Sequence, residues 1–145
     1  MSEELQVSIE SEAKTHTELD VSVRGHRLKV DEPEDFGGHD RAPNPLEYMF
    51  TGLAGCLNVA IHKVAGERDV GVESVEIDVE GDIDLEGFED PESEKRSGFQ
   101  DISIYVEMDT EADEETEEEI LEEAEGRCPV NDNLKHGTDI QVGMR

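Results

Sequence analysis

Apolar residues follow two different periods along this chain. Leu5, Val7 and Ile9 alternate with polar neighbours, as do Leu19, Val21 and Val23, so both stretches read as strands with one buried face. After Arg24 the parity switches and Leu28 and Val30 take the inward positions; a tight turn at Gly25-His26 accounts for the switch and makes the pair a hairpin. Asp31 to Pro43 has no apolar period and holds Pro33, Gly37, Gly38 and Pro43, so it is a loop, with His39 and Arg41 in it. From Asn44 to Lys63 the period becomes helical. Asn44 is a good N-cap, Pro45 suits the first helical position, and Glu47 completes a capping box. At about 100° per residue, Glu47, Thr51, Asn58 and His62 form a polar stripe. Met49, Gly52, Leu53, Cys56, Val59 and Ala60 lie opposite, so Cys56 is expected to point into the protein.

Beyond Gly66 to Gly71 the alternation returns. Val75, Ile77, Val79, Ile83 and Leu85 predict one long strand, and Ile102, Ile104, Val106 and Met108 a second, paired antiparallel across an acidic loop from Glu86 to Gly98. Thr110 to Glu125 carries a sparse apolar stripe of Ala112, Ile120, Leu121 and Ala124, which predicts a surface helix ended by Gly126. Cys128-Pro129 opens a further helical turn to about Lys135, and Gly137 leads to a final strand at Ile140, Val142 and Met144. This order predicts an α+β fold in which antiparallel sheets pack around a long buried central helix, with residues 1–145 forming a single domain. That helix is apolar around most of its circumference, and Gly52, Ala54, Gly55 and Ala60 give it little bulk, so a second copy of the chain is expected to cover it in a homodimer.

Charge narrows the partners. The 12 Lys plus Arg face 40 Asp plus Glu, a formal charge of -28 and a sequence pI near 4.2, which argues against nucleic acid and anionic membranes. The acidity is spread through every segment, as on a halophilic protein whose self-repulsion is screened in molar salt, where the Debye length is about 3 Å. Met1-Ser2-Glu3-Glu4 has neither the basic nor the apolar region of a secretory signal, and the apolar run from Leu46 to Ile61 falls short of the ~20 residues that cross a bilayer. A cytoplasmic location is expected.

The candidate chemistry rests on two cysteines. Cys128 precedes Pro129, which places its sulfur at a helical N-terminus, where unpaired N–H groups favour a thiolate. Cys56 lies in an apolar helix, where a thiol resists ionisation unless a cation is near; Arg24, Arg27 and Arg41 are the candidates, Arg41 being nearest in sequence. Taken singly, either cysteine is more often an inert small hydrophobe, and it is the pair that argues for redox chemistry. Without a Cys-x-x-Cys or His-x-x-x-His spacing, no metal and no cofactor is expected. His62 and His136 are most simply hydrogen-bonded helix residues, and the acidic stretch from Glu86 to Lys95 a solvated loop.

Asn44-Pro45, Gly52-Leu53-Ala54-Gly55-Cys56 and Cys128-Pro129-Val130 resemble the osmotically inducible protein C family, OsmC and Ohr, and Arg96-Ser97-Gly98-Phe99-Gln100 resembles one branch of it. The likeness covers most of the chain. It implies an intertwined homodimer and a thiol peroxidase. Cys56 would attack an organic hydroperoxide and become a sulfenic acid, Cys128 would condense with it into a disulfide, and a dithiol reductant would restore both. Two positions depart from the family pattern. Leu46 stands where hydroperoxide-resistance members carry a catalytic Glu, and Glu47 projects to the opposite side, as a cap does. The family's catalytic Arg has no match at a fixed spacing; Lys14 fills the offset of one branch and Arg41 lies close to that of another, which makes Arg41 the candidate. The competing expectation is a non-catalytic dimer that binds an apolar ligand at an interface pocket, with both thiols as bystanders.

Overall fold

The computed structural model describes residues 2–145, and the chain divides into two units that meet in sequence between Met49 and Phe50. In the first unit β1 (Glu10–Ala13), β2 (Leu19–Val23) and β3 (His26–Val30) form an antiparallel sheet in that order. Leu19 pairs with Val30 and Val21 with Leu28, so the parity switch seen in the sequence does put both apolar sets on one face. The switch is made one residue earlier than Gly25-His26, by two residues with positive φ, Arg24 (48°) and Gly25 (86°), the backbone of a tight two-residue hairpin turn, because His26 already pairs with Val23 in the ladder. The strand expected at Leu5, Val7 and Ile9 is not formed. The ladder begins only at Glu10 opposite Ser22, and the three apolar residues before it are 60% to 86% exposed. Their alternation marks a face fit for burial but supplies no strand to pair with.

Helix α1 (Pro45–Glu67) starts as its capping residues require: Asn44 N–H donates to Glu47 Oε1 and Glu47 N–H to Asn44 Oδ1, both at 2.8 Å. It is longer than the apolar run by one turn, ending at Glu67 with Asp69 in the left-handed region (φ 55°). Its buried line is Leu53, Leu57, Ile61, Val64 and Ala65. Val59, grouped with Leu53 by the sequence, is instead 67% exposed, and Gly52 and Gly55 are exposed as well. The apolar arc of α1 is wide enough to hold two faces, of which this chain covers one.

In the second unit β4 (Val72–Ile83) and β5 (Phe99–Thr110) form a two-stranded antiparallel ribbon, with Val75 opposite Met108, Ile77 opposite Val106 and Val79 opposite Ile104. The acidic loop between them contains the short α2 (Glu86–Glu89). Asp113 caps α3 (Glu114–Arg127) by accepting from Thr116 N–H at 2.9 Å. The helix does not end at Gly126; it runs to Arg127. Cys128 stops it because the residue before a proline is pushed to extended backbone (φ -79°, ψ 113°), and the same residue caps α4 (Pro129–His136). The core joins Leu57, Ile61, Val64 and Ala65 of α1 to Ile120 and Ala124 of α3, with Val75, Ile77, Ile104, Val106 and Met108 of the ribbon packed against it. The final strand is also absent, and Ile140, Val142 and Met144 are 84% to 101% exposed. The architecture is α+β with antiparallel sheets and helices. Among the described residues no helix is long and apolar enough to cross a membrane.

A paired-thiol candidate site

The second unit brings its two cysteines together. Cys56 is half-buried on α1, beside the buried Leu57, and Cys128 at the α3–α4 junction is fully buried with its thiol against that of Cys56. Both are free thiols. Burial pushes the Cys128 thiol above its ordinary pKa, and the neighbouring Cys56 pushes in the same direction. The N–H groups of Asn131 and Val130 face the sulfur and oppose that rise, though neither closes a side-chain capping bond. The helical N-terminus is therefore present as expected, but its amides only oppose the rise in the Cys128 pKa and do not reverse it. Desolvation outweighs the amide groups.

Several contacts fix the junction. Asn131 Nδ2 donates to Glu125 O (3.2 Å), Lys135 Nζ to Glu125 Oε1 (2.5 Å), and Asp132 N–H to Cys128 O (3.0 Å). Arg127 reaches back to the last turn of α1, with Nη1 donating to Glu67 Oε1 (2.6 Å) and Nη2 to Glu67 Oε2 (3.1 Å), while Nη1 also meets Glu123 Oε2 (2.8 Å). Arg68 joins the network through Glu119 (3.0 Å) and Glu123 (3.4 Å). This clamp was not anticipated from the sequence. The i,i+4 spacing of Glu123 and Arg127 was its one local signal.

Arg41 belongs to the first unit. Its backbone N–H donates to Asp31 Oδ2 (3.1 Å), and its guanidinium lies 3.8 Å from the buried Glu18, whose other oxygen accepts from Lys29 Nζ at 2.6 Å. Asp31 organises the whole loop. Fully buried, it also accepts from Thr17 Oγ1 (2.8 Å), Glu32 N–H (2.8 Å) and His39 N–H (3.3 Å). Burial alone would raise its pKa, yet the Arg41, Glu32 and His39 amides and the Thr17 hydroxyl outweigh it and hold the carboxyl well below the usual range. A Cβ on Gly38 would stand 1.9 Å from Glu32 O, so the loop's close return requires glycine there. Arg24 and Arg27 lie at the hairpin turn and on β3.

The remaining candidates settle into structural places. Glu47 makes the capping box, and Lys14 lies 3.5 Å from Glu12. His62 Nδ1 is 2.9 Å from Asn58 O, and His136 is 3.8 Å from Asp132. In the Arg96-Ser97-Gly98-Phe99-Gln100 segment, Arg96 Nη1 donates to Phe99 O (3.4 Å) and Phe99 stacks on Phe50 of α1, with ring centroids 4.9 Å apart. Among the described residues no cluster of His, Cys, Asp and Glu is arranged to hold a metal ion.

The α+β fold with antiparallel sheets and helices that carries the thiol pair has solved counterparts. An OsmC-like protein from Mycoplasma pneumoniae superposes with a TM-score of 0.79 at 16% identity, covering 92% of this chain and 90% of that one. The organic hydroperoxide resistance protein OsmC of Legionella pneumophila gives 0.71 at 19% identity with 95% of each chain covered. The organic hydroperoxide resistance protein OhrB of Bacillus subtilis gives 0.62 at 18% identity, covering 93% and 94%. At such identities the likeness carries the fold. No curated protein matches the chain by sequence. The family model described as OsmC-like protein matches residues 38–143, a span holding α1 and both cysteines, and the chain belongs to that family.

Proposed function

We propose that the protein is a thiol peroxidase that reduces organic hydroperoxides through Cys56 and Cys128. The observation that carries this reading is the contact between the two free thiols, one half-buried and reachable, the other fully buried behind it. Cys56 attacks the peroxide and becomes a sulfenic acid, Cys128 condenses with it into a disulfide, and a dithiol reductant returns both to thiols. Arg41 is the cation assigned to support this chemistry, held in its loop by Asp31. Residues 1–145 act as one domain within a cytoplasmic homodimer, using neither metal nor cofactor. The dimer is supported by the open face of α1, where a Cβ on Gly52 or Gly55 would meet no atom within 4 Å and Val59 is exposed.

Intact mass after hydroperoxide treatment tests the two roles, because Ser is a far weaker nucleophile than Cys at neutral pH. Cys56→Ser is expected to leave Cys128 unoxidised. Cys128→Ser is expected to gain one oxygen on Cys56 and then a second under excess peroxide. Full dithiol-dependent turnover by either variant contradicts the role assigned to the residue replaced. A protein that only binds an apolar ligand would keep both thiols under the same treatment.

A further inference from the structure

Cleaving the O–O bond of an alkyl hydroperoxide expels an alkoxide, a strongly basic leaving group that needs a proton in the transition state. The thiol pair contains a proton donor at that place. Cys128 is a buried thiol set against Cys56, so its S–H lies beside the sulfur that takes the peroxide's oxygen. The amides of Asn131 and Val130 face the same sulfur, where they are positioned to receive the anion left once the proton has gone. We propose that Cys128 is the general acid for peroxide cleavage as well as the resolving thiol, and that the first role creates the nucleophile for the second.

The inference rests on the peroxidase reading and deepens it. The Cys56 thiolate attacks the terminal peroxide oxygen; the S–O bond forms, the O–O bond breaks, and the Cys128 S–H proton passes to the leaving oxygen, releasing an alcohol. Cys56 is now a sulfenic acid and Cys128 a thiolate. That thiolate attacks the Cys56 sulfur, the S–S bond forms, the S–O bond breaks, and hydroxide leaves. The pair has lost two electrons to the hydroperoxide, with no further oxidant. Because burial holds Cys128 as a thiol at rest, it is a poor nucleophile until a substrate has been cut, which ties resolution to turnover.

A peroxy acid separates this role from a structural one, since its leaving carboxylate needs no proton. The experiment measures the rate of Cys56 oxidation in rapid-mixing assays of wild type and Cys128→Ser, with tert-butyl hydroperoxide and with peracetic acid. The variant is expected to lose roughly a hundredfold or more with the alkyl hydroperoxide, the lower end of what general acids supply, while its peracetic acid rate stays within about twofold of wild type. Equal rates for the two proteins with tert-butyl hydroperoxide overturn the inference and leave the peroxidase reading standing; so does an equal slowing with both reagents. A wild type that fails to react with the alkyl hydroperoxide removes the peroxidase reading itself. If the variant does not fold, the wild type alone decides: a solvent deuterium isotope effect of about twofold or more on tert-butyl hydroperoxide, absent with peracetic acid, supports the proton transfer, and equal effects contradict it.

Discussion

Arg127, the residue immediately before Cys128, grips Glu67 at the far end of α1 with two hydrogen bonds of 2.6 and 3.1 Å. Exposed ion pairs contribute little singly, but this one is bidentate and shared with Glu123 and, through it, Arg68, the geometry in which such contacts do hold elements together. The clamp ties the end of α3 to the helix that carries Cys56, so it orients the buried thiol without touching it. Arg127→Gln is expected to slow both the first oxidation of Cys56 by an alkyl hydroperoxide and disulfide closure, each on the order of tenfold, the scale on which small displacements of reacting groups act. Stopped-flow oxidation followed by acid quench and mass analysis resolves the two phases. A variant in which both phases are unchanged would show that the core alone positions Cys128.

Acid should act on the first unit through Asp31. Its folded pKa is depressed, so its carboxylate contributes stability that is fully present above the unfolded value of about 3.9 and is lost as pH falls below it toward the folded value. Melting temperatures are therefore expected to separate wild type from Asp31→Asn at pH 7 and to draw together as pH drops below about 4. A gap that is constant with pH would mean that the loop does not depend on the ionised carboxylate.

Salt should matter as much as pH. With a formal charge of -28, lowering KCl from 1 M to about 0.1 M lengthens the Debye length from about 3 to about 10 Å and lets the carboxylates repel one another. The acidic face of α3, from Glu114 to Glu125, is the segment expected to loosen first. Thermal melts in the two buffers are expected to differ clearly, with the lower melting temperature at low salt. Equal values would remove the case for a salt-adapted surface.

What the sequence revealed and what it hid divide along physical lines. The capping box of Asn44 and Glu47, the parity switch around Arg24 and Gly25, and the pairing of β4 with β5 were legible because each depends on neighbours in the chain or on a simple period. Leu5 to Ile9 and Ile140 to Met144 misled because alternation states that a face suits burial without stating against what. Gly126 reads as a helix stop, yet its permissive backbone also tolerates helix, and the real stop is the Cys128-Pro129 step. The position of Cys128 at a helix start was readable. Its desolvation was not, because that depends on what α1 packs against it. Asp31 has no apolar period to mark it in the sequence; an Asp ahead of a Pro- and Gly-rich stretch rich in free amides is its one signal.

The proposed dimer should be sensitive to bulk and charge on the open face of α1. Light scattering in molar KCl is expected to give twice the chain mass for wild type and a shift toward monomer for Val59→Arg, which places a charge on the apolar line beside Gly52 and Gly55. A wild type that remains monomeric at micromolar concentration would contradict the homodimer.

The pairing of Cys56 with Cys128 as a redox unit is tested most directly by titrating free thiols before and after one equivalent of an organic hydroperoxide, then again after adding a dithiol. Both thiols are expected to disappear together within the mixing experiment, a peptide map to find them joined to each other, and the dithiol to return both. Thiols that survive the peroxide, or a loss confined to Cys56 with no Cys56–Cys128 linkage, would contradict that pairing.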